Sequence, residues 1–196
     1  MLDILSEEDL WRVVRVTYTC SWENAINEYD VNNWLNNFTG KCLGNEQDER
    51  KIALWLLSNF SYYTNSNIRE LCKDVYWKYI HNELKRSDYS NVNEIISNTA
   101  FIPFGKPGDS GSYIAYMFRQ SNMLDINGFA YSTKPIERKN LVFLDDATFS
   151  GKQAEAYMRT CEQDLAFDNK IIYLLTLFSS VDARKRLHEN YKYLKI

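Results

Sequence analysis

The spacing of apolar residues along the chain changes near residue 90. Before that point, apolar side chains recur at helical intervals in residues 31–38, 52–60 and 68–84, as they do in amphipathic helices. In the third segment, lysine and aspartate side chains alternate with the apolar stripe and fall on the opposite face. The pattern predicts a helical amino-terminal subdomain over residues 1–90.

After residue 90 the apolar residues form short runs that are bounded by glycine, proline or polar residues. The runs predict strands at residues 100–104, 129–132, 141–144 and 171–177. The last two are apolar throughout, as are parallel strands that are covered on both faces. A helical pattern at residues 154–165 separates them. We therefore predict an α/β domain over residues 91–196, with a parallel sheet flanked by helices.

Composition and charge narrow the function classes. The chain of 196 residues has 23 Lys and Arg against 26 Asp and Glu, a formal net charge of -3, so we expect no non-specific nucleic-acid binding. An acidic start without a long apolar run predicts a cytoplasmic protein with no membrane contact. The four cysteines and two histidines lack the spacing of a zinc site. Only seven glycines occur, and most of them fall in two loops.

One of these loops follows the predicted strand at residues 141–144 and opens a helix. Its candidate binding residues are two carboxylates followed by small, hydroxyl, basic and amide residues: Asp145, Asp146, Thr148, Ser150, Gly151, Lys152 and Gln153. Amides at a helix start favour a phosphate, and paired carboxylates accept hydrogen bonds from vicinal hydroxyls or hold Mg²⁺ through water. The combination favours a phosphorylated sugar. The alternative is a helix capped by Thr148 or Ser150 after an acidic turn.

The other loop, residues 104–112, follows the predicted strand at residues 100–104. Three glycines within seven positions, with a lysine and hydroxyl residues, make a second candidate anion site at Lys106, Gly108, Asp109, Ser110 and Gly111. The alternative is a tight connection in which glycine supplies positive φ. Arg119 follows in a helix-like segment, where it is either a further anion contact or a surface arginine.

The stretch from Leu141 to Gln153 resembles the signature of type I phosphoribosyltransferases: four apolar residues, two acids, two variable positions and a Ser-Gly loop. The resemblance implies a phosphoribosyltransferase-like sheet that binds phosphoribosyl pyrophosphate (PRPP). It implies that Asp145 and Asp146 are the catalytic carboxylates, which contact the ribose hydroxyls, while Thr148 and residues 150–153 bind the 5′-phosphate. It also implies that residues 105–111, with Lys106, bind pyrophosphate together with Mg²⁺.

The chain is more narrowly similar to phosphoribosyltransferase-like proteins of bacterial conflict and antiphage systems, including some in retron operons. That similarity rests on three features. They are the aromatic-rich helical front, by which we mean residues 1–90, the GDSG sequence in the loop at residues 104–112, and the LDDATFSGKQ sequence of residues 144–153. It implies a role in antiviral defence.

Phe149 departs from the family pattern, because many nucleotide-salvage members have an acid there that assists proton transfer. The chain also ends soon after the strand at residues 171–177, where these enzymes usually have further strands. Three hypotheses follow: a phosphoribosyl transferase, a non-catalytic module that senses PRPP or a nucleotide, and a nucleoside or NAD glycosidase. In each, the ligand is a sugar phosphate or nucleotide, and a protein partner is expected at the helical front.

Overall fold

The structure, a computed structural model, describes residues 5–86, 88–130, 136–165 and 167–196. The chain divides into two compact units, Met1–Asn67 and Ile68–Ile196. The division lies earlier than residue 90, because the third predicted helix packs its apolar stripe into the core of the second unit. Among the described residues, no helix combines the length and the apolarity that crossing a bilayer requires.

The first unit contains three helices: α1 (Glu7–Val16), α2 (Glu28–Leu35) and α3 (Glu46–Ser58). Each begins after a side chain that accepts a hydrogen bond from a first-turn amide, namely Ser6, Asn27 and Asn45. Helix α3 starts before its predicted apolar run, because acidic residues in the first turn are favoured by the helix dipole. The core of this unit consists of Leu10, Val14, Val31, Leu35, Ala53 and Leu54.

The second unit contains a sheet of four parallel strands in the order β1-β2-β3-β4. The strands are β1 (Thr99–Pro103), β2 (Asn140–Thr148), β3 (Ile171–Ser179) and β4 (Leu194–Lys195). Its helices are α4 (Asn65–Lys85), α5 (Val92–Ser97), α6 (Ser110–Ser121), α7 (Lys152–Leu165) and α8 (Val181–Asn190). The predicted α/β class with a parallel sheet flanked by helices is confirmed.

Alternation along the strands divides the core of the second unit between the two faces of the sheet. Phe101, Val142 and Tyr173 pack against α4, α5 and α6 on one face. Ile102 and Phe143, which point the other way, pack against α7 and α8 on the opposite face. Strands β2 and β3 lie in the middle of the sheet, so their apolar runs are covered on both sides.

Several elements of the second unit differ from the prediction, and helix α5 was not predicted. Strand β2 continues to Thr148, because its acidic end stays in register with β3, where Asp145 pairs with Thr176 and Thr148 with Ser179. Ladder pairing thus outweighs the low strand propensity of aspartate. Helix α8 and strand β4 were not predicted. Of the predicted strand at residues 129–132, Phe129 forms a parallel bridge with Phe101, and residues 131 and 132 lie outside the described residues.

Candidate functional site

The carboxyl ends of β1 and β2 lie side by side where the direction of the chain across the sheet reverses, and we call the space between the loops that follow them the crevice. From β1 the chain passes through α6 on one face and returns beside the outer edge of β1 at Phe129. From β2 it passes through α7 on the opposite face and proceeds to β3. Ligands of open α/β sheets bind at such switch points. Both candidate loops, residues 104–109 and 149–151, lie at this point.

Two adjacent carboxylates form the floor of the crevice. Asp145 is only 9% exposed, and one of its oxygens accepts a hydrogen bond from the Asp146 N–H at 3.0 Å. Asp146 is half-buried and accepts a hydrogen bond from the Ala147 N–H at 2.8 Å. Burial, and then the neighbouring Asp146 carboxylate, raise the pKa of Asp145 to about 7. Asp145 therefore holds a proton over part of the neutral pH range and ionises when a cation or hydrogen-bond donors approach.

Ser110 connects the two sides of the crevice. It is the first residue of α6, and its hydroxyl donates to Asp146 Oδ1 at 2.9 Å across a sequence separation of 36 residues. This hydrogen bond favours the ionised form of the pair and opposes the rise in the pKa of Asp145. The start of α6, directly after the loop that follows β1, therefore supplies a hydrogen-bond donor to the acids at the end of β2.

The loop after β1 has features of both alternatives that its sequence left open, a tight connection and an anion site. Gly105 and Gly108 have positive φ, as in a tight connection. The Asp109 carboxylate accepts the Lys106 N–H at 2.7 Å, so Asp109 closes the turn and occupies an amide that was expected to face pyrophosphate. Gly111 is buried, and a Cβ there would lie 2.1 Å from the Phe104 carbonyl oxygen, so it permits close packing of α6. Lys106 and Ser110 are exposed, and Ser110 contacts the acids at the end of β2, whereas Lys106 lines a cavity with Tyr157 and Asp164 of α7.

The loop after β2 is fastened to α8. Gly151 has a φ of +70° and is buried, and a Cβ there would lie 3.3 Å from Arg186 Cδ and 3.4 Å from Ala183 Cα. Ser180 donates its N–H to the Thr148 carbonyl at 3.0 Å and its hydroxyl to the Phe149 carbonyl. At the first turn of α7, the Ser150 hydroxyl accepts the Lys152 N–H at 3.4 Å, as the capping alternative predicts, and the Lys152 side chain is exposed beside the other leading amides. This is the geometry of an anion site at a helix start.

The sequence profile of the PRTase-CE family matches residues 31–196. The chain belongs to the PRTase-CE family. This phosphoribosyltransferase-like family covers the whole sheet and part of the helical first unit, so the resemblance inferred from Leu141 to Gln153 is confirmed at the level of the family. No curated protein and no solved structure matches the chain.

In this PRTase-CE chain the remaining predicted site residues differ in their exposure and in their distance from the crevice. Ser150, Lys152 and Gln153 are exposed around the start of α7, whereas Thr148 is 7% exposed at the end of β2. Arg119 lies in the last turn of α6, about 13 Å along the helix axis from Ser110, so the structure does not bring it to the crevice. Phe149 is 68% exposed directly after the acidic strand end.

An ion pair between α7 and α8 was not predicted from the sequence. Glu155 in α7 accepts hydrogen bonds from Arg186 in α8 at 2.7 and 2.9 Å and from Arg159 at 2.9 Å. These cations, Arg186 foremost, lower the pKa of Glu155 below its usual value. The pair holds α7 and α8 together behind Gly151 and so helps to position the loop after β2. Glu155 and Arg186 lie 31 residues apart, so only the tertiary structure shows the contact.

The donor set of the crevice fits Mg²⁺ in one specific way. Asp145 and Asp146 supply carboxylate oxygens, which Mg²⁺ prefers, but no group of three or more acidic, histidine or cysteine side chains occurs in the described parts of the chain. Mg²⁺ commonly binds through one or two carboxylates, water and substrate phosphates. The site therefore suits a cation that arrives with a phosphorylated ligand.

Proposed function

We propose that the crevice binds PRPP, or a closely related sugar phosphate, together with Mg²⁺. The observation that carries this proposal is the pair of carboxylates, Asp145 and Asp146, at the switch point of a PRTase-CE sheet. The raised pKa of Asp145 shows that burial leaves its ionised form short of solvation, so further hydrogen-bond donors would stabilise it. The vicinal hydroxyls of a ribose provide two such donors at adjacent positions.

The two loops divide the charged groups of such a ligand. The amides at the start of α7, with Ser150 and Lys152, bind the 5′-phosphate. On the other side, Lys106 and Ser110 face the pyrophosphate. Mg²⁺, held by Asp145 and Asp146 through water, supplies positive charge that offsets the charge of the leaving pyrophosphate.

If the ligand is turned over, the residues of the crevice act by position and charge. The bond from the anomeric carbon to pyrophosphate breaks with its electron pair on the departing oxygen, and a nucleophile of the acceptor forms the new bond. Asp145 and Asp146 orient the ribose and place negative charge near the carbon that becomes positive. Lys106 and Lys152 anchor the two phosphate ends.

A second function, binding without turnover, is favoured by Phe149. This side chain is 68% exposed at the position where many salvage enzymes have an acid, and phenylalanine transfers no proton. An acceptor that needs deprotonation would then remain unreacted. In that case the crevice senses PRPP or a nucleotide.

Calorimetric titration of PRPP with Mg²⁺ tests the binding proposal. We expect one equivalent to bind to the wild type, and Asp145→Asn and Asp146→Asn each to lose at least tenfold in affinity. Asp168→Asn is the matched control, because Asp168 is exposed in the turn before β3, at the opposite edge of the sheet. Absence of binding to the wild type, or equal binding by all variants, contradicts the proposal.

Product analysis separates transfer from its alternatives. Incubation with Mg²⁺, PRPP and a panel of bases releases pyrophosphate if the protein is a transferase and releases nothing if it only binds. Release of free base from nucleosides or NAD, without pyrophosphate, identifies a glycosidase. Release of pyrophosphate or of free base must be absent in Asp145→Asn if the crevice is the site of the reaction.

The role in bacterial antiviral defence rests on the resemblance in sequence alone. We expect the Asp145→Asn/Asp146→Asn variant, expressed from its native operon, to lose protection in a phage-challenge assay. Protection equal to that of the wild type contradicts a role for the crevice in defence. The protein partner of the helical front and the cytoplasmic location stay predictions.

A further inference from the structure

A second cavity, of about 490 Å³, lies on the face of the sheet that carries α4. It runs along β3, and its apolar wall is formed by Val75, Leu175 and Leu177. We call it the β3 groove. Its volume lies within the range of small-molecule pockets, which is about 300–1,000 Å³. Nothing in the proposed function uses it.

Four cationic side chains line the β3 groove. Lys78 lies in α4 and Arg86 in the turn directly after it, while Arg184 comes from α8 and Lys195 from β4. The convergence of these separate elements on one cavity makes it positively charged, although the whole chain has a net charge of -3. A concave site of one sign attracts ligands of the opposite sign.

Buried Glu83 holds two of these cations at one end of the groove. Its carboxylate pairs with Arg86 at 3.3 Å and lies 4.0 Å from Lys195, and Tyr173 donates a hydroxyl hydrogen bond to it. Lys195 in turn donates to the Tyr173 hydroxyl at 3.1 Å. These contacts fix the positions of the cations before any ligand binds, which reduces the entropy lost on binding.

Positive charge remains in excess after these pairings. Glu83 and Asp88 are the carboxylates that pair with Arg86 and Lys195. Within the described residues, neither Lys78 nor Arg184 makes an ion pair. Burial and the neighbouring Arg86 lower the pKa of Lys195, as expected where cations are crowded. The groove therefore keeps an excess of positive charge, which favours an anionic ligand such as a phosphate monoester.

We propose that the β3 groove binds a phosphorylated ligand of nucleotide size, with its phosphate among the cations and its flat apolar part against Leu175 and Leu177. A long nucleic acid fits less well, because the cations gather around one groove and do not form an extended stripe. The groove lies one strand beyond the crevice, since Thr176 and Ser179 line it and pair with Asp145 and Thr148 of β2.

The test uses AMP as the probe and a protein whose crevice is disabled, the Asp145→Asn/Asp146→Asn variant. We expect one equivalent of AMP to bind in calorimetry. Ribose 5-phosphate, which lacks the base, and adenosine, which lacks the phosphate, each bind at least tenfold more weakly if both halves of the groove are used. No binding of AMP, or equal binding of adenosine, overturns the proposal.

Adding Lys78→Ala/Arg184→Ala to the same protein locates the site. Both side chains are exposed, so their loss leaves the core intact. We expect at least a tenfold loss of AMP affinity. The matched control is Lys85→Ala/Lys185→Ala, which removes the same charge from exposed positions on the same helices away from the groove. Equal effects of the two double variants overturn the assignment.

The outcome is separable from that of the proposed function. In a chain with an intact crevice, Lys78→Ala/Arg184→Ala keeps its affinity for Mg²⁺ and PRPP and loses only the AMP site. Failure of PRPP to bind removes the crevice proposal and leaves the AMP measurement unaffected. Failure of AMP to bind removes the groove proposal alone.

Discussion

Two buried carboxylate centres lie at opposite edges of the same sheet. Near the amino edge, Glu83 is fully buried beside Asn140, the first residue of β2. At the carboxyl edge, Asp145 is almost as buried. The two acids have opposite surroundings. Glu83 is surrounded by donors, whereas Asp145 faces the carboxylate of Asp146.

The donors around Glu83 form a connected network. Asn140 Nδ2 donates to Glu83 at 3.1 Å and to the Tyr79 hydroxyl at 3.0 Å, and the Tyr79 hydroxyl lies 2.5 Å from that of Thr99. Tyr173 and Arg86 complete the contacts of the carboxylate. Because every polar group here has a partner, the network ties α4 to β1, β2 and β3 and contributes to stability.

The comparison shows that the groups surrounding a buried acid indicate whether it stabilises the fold or binds a ligand. An acid whose donors all come from the protein stabilises the fold, and a ligand has nothing to add. An acid that faces a second acid is held in an unfavourable state that a ligand relieves, and strongly perturbed carboxylates in clefts are accordingly candidates for function. The predictions below compare the two centres in that respect.

The largest expected effect is at the Glu83 centre. Glu83→Ala leaves Arg86, Asn140 and Tyr173 without their shared acceptor, and we expect the free energy of unfolding to fall by about 3–5 kcal/mol. Urea denaturation measures the loss. The control, Glu70→Ala, removes an exposed acid of α4 that pairs with Lys73 and should cost less than about 0.5 kcal/mol. Equal losses of unfolding free energy in both variants would contradict a stabilising role for the Glu83 network.

The Asp145 centre is expected to respond with the opposite sign. The pKa of Asp145 rises from 3.8 to about 7 on folding, so the folded state binds its proton more tightly. Its contribution to stability is present below about pH 4 and is lost as the pH rises to about 7, at a cost on the order of 2–4 kcal/mol. Asp145→Asn should therefore match or exceed the wild type in stability at pH 8. Urea denaturation at pH 5 and pH 8 measures this, and a variant less stable at pH 8 would contradict it.

Ligand binding should depend on pH through the same group. Mg²⁺ and PRPP require the ionised pair, so binding weakens below the pKa of about 7 and should fall roughly tenfold from pH 8 to pH 6. Proton release on binding, measured by calorimetry in buffers of different ionisation enthalpy, checks the mechanism. AMP binding in the β3 groove does not involve Asp145 and serves as the internal control. A PRPP affinity that is flat with pH would mean that Asp145 is not the titrating group.

The smallest effect is expected at Ser110. Ser110→Ala removes one hydrogen bond to Asp146, which is worth about 1 kcal/mol, or roughly a fivefold loss in PRPP affinity. Because that bond opposes the rise in the pKa of Asp145, the midpoint of the pH profile should also move upward. Ser112→Ala, two residues along the same helix, is the control and should leave the midpoint unchanged. A midpoint that moves equally in both variants would assign the shift to the helix as a whole.

The helices, the central strands and the two loops could be predicted from the sequence, because their signals are local. Periodicity revealed the core faces of α3, α4 and α7, and the apolar runs revealed β2 and β3. Asp145 and Asp146 could be named because the two acids are adjacent in the chain and follow an apolar strand. Helix α8 and the two-residue strand β4 were missed, since a mainly polar helix and so short a strand carry little pattern.

By itself, the sequence determined the α/β class, the family resemblance and the carboxylate pair, because each depends on neighbours along the chain. Only the tertiary structure decided how these groups act. The contact of Ser110 with Asp146, the role of Asp109 within its own loop and the burial that raises the pKa of Asp145 all depend on residues brought together by folding. The β3 groove depends on folding entirely, since its cations come from α4, the turn after it, α8 and β4, and only the folded sheet places them around one cavity.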